Sequence, residues 1–116
     1  MKAAVISDIH SNHLALEACV RKALEQGAEA FLFLGDYVSD CACPRKTLEI
    51  LYGLKKRYDC RFIRGNREEY MMGCRASGGA GWRDGSTNGA LLYTYENLTT
   101  ADLDWFESLD IRAEVE

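Results

Sequence analysis

Ala3-Ala4-Val5-Ile6-Ser7-Asp8-Ile9-His10-Ser11-Asn12 is the stretch on which the reading of the chain turns. A short apolar run, β-branched in its middle, halts at a polar cluster, which predicts a buried strand over residues 3–7. Beyond it Leu16, Cys19, Val20, Ala23 and Leu24 recur at helical spacing, and Gly27 follows as a C′ residue. An amphipathic helix is expected there, with Ser11 or Asn12 as N-cap and Glu17 and Arg21 four apart on its solvent side. Ala30 to Leu34 repeats the strand signature and ends in Gly35-Asp36. Pro44, a favoured first helical position, opens a second helix that carries Leu48, Leu51, Leu54 and Tyr58 and ends near Arg57. Cys60 to Arg64 reads as a third strand closed by Gly65-Asn66, and Arg67 to Met72 starts another helix. The alternation predicts an α/β fold: a mostly parallel β-α-β-α-β sheet with flanking helices.

Further along, Ser77 to Gly89 is glycine-rich around Trp82-Arg83 and reads as a loop over one sheet edge, either a substrate lid or a docking loop. Ala90 to Asn97 and Ala101 to Leu109 read as short helices, the second opened by a capping box of Thr99 and Asp102. Ile111 to Glu116 begins what reads as one more strand. With 116 residues, 47% hydrophobic and 28% charged, the chain suits a single domain (1–116) with a core of its own. Fourteen basic against eighteen acidic side chains leave a net charge of -4, which argues against a nucleic-acid backbone or an anionic membrane as the main partner. Apolar runs fall short of the roughly 20 residues of a membrane span, and the start lacks a signal-peptide core, so a cytoplasmic location is expected. Five cysteines without a C-x-x-C pair suggest neither a disulfide framework nor a zinc knuckle.

Three predicted strand ends each deliver polar groups: Asp8 and His10 from the first, Asp36 from the second, Asn66 from the third. In parallel sheets ligands gather beyond the carboxyl ends of the strands. Asp8 and His10, two apart, face one side and can bind one ion together. With strands roughly 4.8 Å apart, Asp36 is placed to bridge two ions about 3.5–4 Å apart. Carboxylate, imidazole and amide oxygen suit Mn, Fe, Zn or Mg. Each acid taken singly reads equally well as a helix cap, but all of them together with the histidine weigh toward a site. Gly35 and Gly65 permit the tight turns and close backbone approach that such a rim requires.

The set Asp8-x-His10, Gly35-Asp36 and Gly65-Asn66 resembles, in order and separation, the N-terminal half of the calcineurin-like metallophosphoesterases, the metallo-dependent phosphatases. Ile6 to Asn12 and Leu34 to Val38 look most like the bacterial phosphodiesterase and protein-phosphatase-like branch. The resemblance implies an αββα sandwich with one or two divalent metal ions, hydrolysing phosphomonoesters or phosphodiesters by attack of a metal-bound hydroxide. Carried over, Asp8 and His10 hold the first ion, Asp36 bridges, and Asn66 binds the second.

Two departures qualify this. The family supplies further histidines from its C-terminal half, whereas this chain has only His10 and His13, so it reads as an apparently truncated domain. Arg67 stands where many members carry a histidine; it does not surrender a proton but can clamp phosphate. Its plainer reading is a surface residue paired with Glu68 or Glu69. The expected function is therefore a metal-dependent phosphoesterase, with a catalytically incomplete form that keeps the fold and a weak metal site as the alternative. His13 reads as a surface residue, Asp40 as a cap for the Pro44 helix or a contact to metal-bound water, and Cys41 and Cys43 as weak ligand candidates. A half-sandwich leaves an apolar sheet face uncovered, which predicts self-association.

Overall fold

The computed structural model describes residues 1–77 and 86–114, with the side chains of 86–88 set aside. The apolar runs form three short strands, β1 (Ala3–Ile6), β2 (Ala30–Phe33) and β3 (Asp59–Phe62), all parallel and in the order β1-β2-β3. Between and after them come the helices α1 (His13–Glu25), α2 (Pro44–Arg57), α3 (Asn66–Ala76), α4 (Ser86–Glu96) and α5 (Thr100–Ser108). The α/β fold and the parallel β-α-β-α-β order expected from the sequence are what the chain adopts.

Register decides which side chains make the core. Ala4, Phe31 and Cys60 lie abreast, as do Ile6, Phe33 and Phe62, and because side chains alternate along a strand these rows share one face. The Phe33 and Phe62 rings stack at 4.8 Å, and Trp105 of α5 meets Phe62 edge-on at 5.1 Å. Leu16 and Val20 of α1, Leu48, Leu51 and Leu54 of α2, Met71 of α3, Leu91 of α4 and Phe106 of α5 complete this core. The opposite face carries Ala3, Val5, Leu34, Asp59 and Arg61; Val5 is 59% and Leu34 45% exposed.

Helix ends follow the local chemistry. The Asn12 side chain caps α1 by accepting from the Ala15 backbone N–H at 3.1 Å, and Gly27 turns away with φ +86°. Thr99 and Asp102 form the expected capping box on α5, each side chain bonded to the other's backbone N–H. Asp102 does more, since it also accepts from Arg45 and Tyr52 and so ties α2 to α5 while almost wholly buried.

Two expectations are corrected. Ser86 to Gly89 belong to α4 rather than to the glycine-rich loop. Packing fixes this helix despite its poor intrinsic formers: Leu91 and Thr94 are buried, and the Tyr93 hydroxyl donates to the Ala42 carbonyl at 2.9 Å. Of the strand expected over Ile111 to Glu116, the described residues 111–114 form none; just before them a single bridge joins Ile63 to Asp110, with the Arg64 N–H donating to the Asp110 carbonyl at 2.8 Å. Past it Ala113 and Glu114 border grooves on the outer sheet face that Leu32 and Arg61 also line. Trp82 and Arg83, read as a lid, and the last two residues, 115–116, fall outside the described residues. Among the described residues no helix is long and apolar enough to cross a membrane.

Asp102 makes acid stability a test of the α2–α5 tie. Burial works against its charge, but Arg45, the Thr99 N–H and the Tyr52 hydroxyl prevail and hold the carboxyl below its usual range. A lowered folded pKa means that this stabilisation is complete above the unfolded value of about 3.9 and is lost as pH falls through the folded one. Asp102→Asn should destabilise the protein by about 1–2 kcal/mol at pH 7, because it weakens the charge-assisted bond from Arg45, whose guanidinium is partly exposed and keeps Glu49 nearby. Urea unfolding at pH 7 and pH 3 should show that gap narrowing in acid; an equal gap at both would remove the ion pair from the account.

Candidate metal centre

The residues after β1 and β2 run side by side beyond the sheet and continue its pairing as two loops. The backbone N–H groups of Asp8, His10 and Ser11 donate to the carbonyls of Gly35, Asp36 and Tyr37 at 3.2, 2.9 and 2.9 Å, and Cys41 N–H returns a bond to the His10 carbonyl at 3.2 Å. The Ser11 hydroxyl, buried, accepts from Ser39 N–H at 3.0 Å. Within this ladder the backbone is left-handed at Asp8 (φ 55°), His10 (49°), Ser11 (60°), Asp36 (58°), Ser39 (78°) and Asp40 (70°). A residue with a Cβ adopts that region at roughly 1–2 kcal/mol. Such strain persists only where surroundings over-determine it, and it concentrates at functional sites.

A second contact locks this rim to the turn after β3. Gly35, at φ +100°, lies against Gly65 so closely that a Cβ on Gly35 would stand 2.6 Å from both the N and the Cα of Gly65. A Cβ on Gly65 would in turn collide with the Asp36 backbone N and carboxylate. Glu68, fully buried, bridges the two turns: Oε1 accepts from Asp36 N–H at 2.7 Å and Gly65 N–H at 3.0 Å, and Oε2 from Tyr37 N–H at 3.0 Å. Burial pushes its carboxyl up to about 7 while the three N–H donors oppose that rise.

What this framework gathers is Asp8, His10 and Asp36, each offering a ligand atom within 4.8 Å of the others. His10 Nε2 lies 3.4 Å from Asp8 Oδ1. The Ser7 hydroxyl, donating at 2.7 Å, and His10 together outweigh burial and hold the Asp8 carboxyl below its usual range. Asp36 Oδ1 accepts from the Arg67 backbone N–H at 3.1 Å at the start of α3. Two carboxylates and an imidazole are a donor set that fits a hard or borderline divalent cation. Asn66 opens α3 on the exposed side of the same rim, with its amide 3.5 Å from the Tyr70 hydroxyl.

Other candidates fall differently. Arg67 does not pair with Glu68 or Glu69: Glu68 is occupied by the backbone clamp, and Glu69 lies 4.0 Å from Arg64. Its Nη2 stands 3.4 Å from Asp40 Oδ2, and the guanidinium lies over the Tyr70 ring, 5.7 Å from its centroid. Asp40 is no cap, since the N-cap position of α2 is Cys43, with no side-chain cap bond; Asp40 turns instead toward His10 and Arg67. His13 lines a surface groove with Glu17, Lys46, Glu49 and Ile50, away from the metal-capable group. Cys41 and Cys43 are free thiols outside that group. Sequence reasoning missed the role of Glu68, for which a signal existed in an acid three residues after a strand-closing glycine, the N3 position of a helix.

The family model for calcineurin-like phosphoesterases matches residues 1–116, and the chain belongs to that family. Among solved structures, a hypothetical protein from Pyrococcus horikoshii is 25% identical with a TM-score of 0.79, covering 94% of this chain and 48% of its own. A metallophosphoesterase from Sphaerobacter thermophilus is 26% identical with a TM-score of 0.74, covering 99% of this chain and 43% of its own. The chain thus spans about half the length of the structures it matches. Comparison with curated protein sequences gives no match.

If the Glu68 carboxylate and the glycine pair hold the rim together, their removal should be felt at once. Glu68→Ala leaves three buried N–H groups unpaired, at about 1–3 kcal/mol each, and should lower stability by on the order of 3 kcal/mol or more. Gly65→Ala should lower it by about 2–4 kcal/mol through overpacking. Thermal unfolding checks both; a wild-type melting temperature in either variant would show the interlock to be dispensable.

Proposed function

We propose that the chain carries the N-terminal part of a phosphoesterase active site, in which Asp8 and His10 hold a divalent cation and Asp36 bridges toward a second that Asn66 helps to bind. The observation that carries this reading is the convergence of Asp8, His10 and Asp36 within 4.8 Å, in a chain of the calcineurin-like phosphoesterase family. Mn, Fe, Zn and Mg all suit the donors. When bound, such a cation polarises phosphoryl oxygens and acidifies water.

The substrate class is a phosphomonoester or phosphodiester. Arg67, at the N-terminal turn of α3, offers a fork of donors to phosphoryl oxygens and, keeping its proton, orients rather than protonates. Asp36 is steadied by the Arg67 N–H, so cation and phosphate contacts share one turn of backbone. With five free thiols the protein suits a reducing compartment such as the cytoplasm.

A metal-capable group of one histidine and two carboxylates also supports a second reading, that of a catalytically incomplete form with a single weak metal site. The exposed outer sheet face with Val5 and Leu34 supports self-association as part of either reading.

Metal content and turnover separate the two. The first reading expects hydrolysis of an aryl phosphomonoester or diester with Mn²⁺ present, lost by at least about a hundredfold in Asp36→Asn, in line with removal of a metal ligand. It also expects close to two ions per chain by mass spectrometry. One ion without turnover establishes the incomplete form, and no bound ion refutes both. Light scattering should find a dimer or larger species; a monomer that binds no hydrophobic dye would remove self-association.

A further inference from the structure

His10 presents two ring nitrogens to two different acids. Nε2 faces Asp8 within the metal-capable group, whereas Nδ1 is buried and makes no hydrogen bond. The carboxylate oxygen that stands near Nδ1 is Asp40 Oδ2, at 3.5 Å. That same oxygen lies 3.4 Å from Arg67 Nη2. A histidine that gives Nε2 to a cation must carry its proton on Nδ1, and the partner of that proton sets ring orientation and ligand basicity. Asp40 is held where it can serve. Its own backbone is left-handed at φ 70°, Ser39 before it at 78° with its N–H fixed to the Ser11 hydroxyl, and Cys41 after it is bonded to the His10 carbonyl.

We propose that Asp40 is a positioning residue: it accepts the His10 Nδ1 proton, so directing Nε2 to the cation, and through the same oxygen holds Arg67 beside the metal site. This rests on the metal reading given above. Asp40 caps no helix, its side chain is half exposed, and the charged groups it faces are His10 and Arg67. Closing the gap from 3.5 Å to hydrogen-bond distance requires a shift of only a few tenths of an ångström.

The test is a double-mutant cycle on Mn²⁺ binding, with free Mn²⁺ read by electron paramagnetic resonance. Asp40→Asn should weaken binding by tenfold or more in the wild-type background, by less than twofold in a His10→Ala background, and leave the metal-free melting temperature unchanged. Asp40→Glu should restore part of the loss. An equal loss in both backgrounds would make Asp40 a direct ligand or a mere nearby charge and overturn the proposal. Should His10→Ala bind too weakly to measure, the neutral ring decides it. Nitrogen-resolved NMR of the metal-free protein should show the His10 proton moving from Nδ1 toward Nε2 in Asp40→Asn, and an unchanged distribution overturns the proposal. Absence of Mn²⁺ binding by the wild type would instead sink the metal reading itself, and this inference with it.

Discussion

One buried carboxylate holds the rim of this protein together. Glu68 accepts from the backbone N–H groups of Gly65, Asp36 and Tyr37, and so joins the turn after β3 to the loop after β2 at the point where Gly35 and Gly65 touch. The loop after β2 in turn carries the loop after β1 through their shared ladder of backbone bonds. Three chain segments far apart in sequence are thereby fixed relative to one another before any side chain points at a ligand. The arrangement excludes alternatives sterically, since neither glycine has room for a methyl group.

Six left-handed residues in two loops represent strain of several kcal/mol in total, at roughly 1–2 kcal/mol each. The ladder, the clamp and the buried Tyr37, whose hydroxyl lies between the carbonyls of Phe33 and Ile63, offset it. The return on that strain is geometric: curled backbone at Asp8, His10 and Asp36 turns three side chains of two loops into a single space. A site held this way needs little reorganisation to accept a cation.

Much of this was legible in the residues. Short apolar runs ending in Asp8, Gly35-Asp36 and Gly65-Asn66 specified strands, their direction and the rim where polar groups meet, because parallel strands deliver their carboxyl ends to one side. The Thr99–Asp102 box was equally plain, since its chemistry is local. What eluded the sequence was non-local. Asp40 reads as a cap for Pro44 until the left-handed turn at Ser39 and Asp40 directs it to His10 instead. Glu68 reads as a surface neighbour for Arg67 until the two turns close over it. Asp102 shows the cap but not Arg45 or Tyr52, which arrive from a different helix.

All five helices contribute to the core on one side of the sheet, while the other side shows Val5 and Leu34 to water and β1 forms a sheet edge. Among the described residues β1 pairs with β2 alone, so alternate backbone groups on its far flank have no strand partner. On β3 the exposed charges of Asp59 and Arg61 interrupt the apolar surface, as gatekeepers do against indiscriminate stacking. The strand β1 itself, Ala3 to Ile6, carries no charge to serve as such a guard, so its flank is the part of the sheet most open to strand addition.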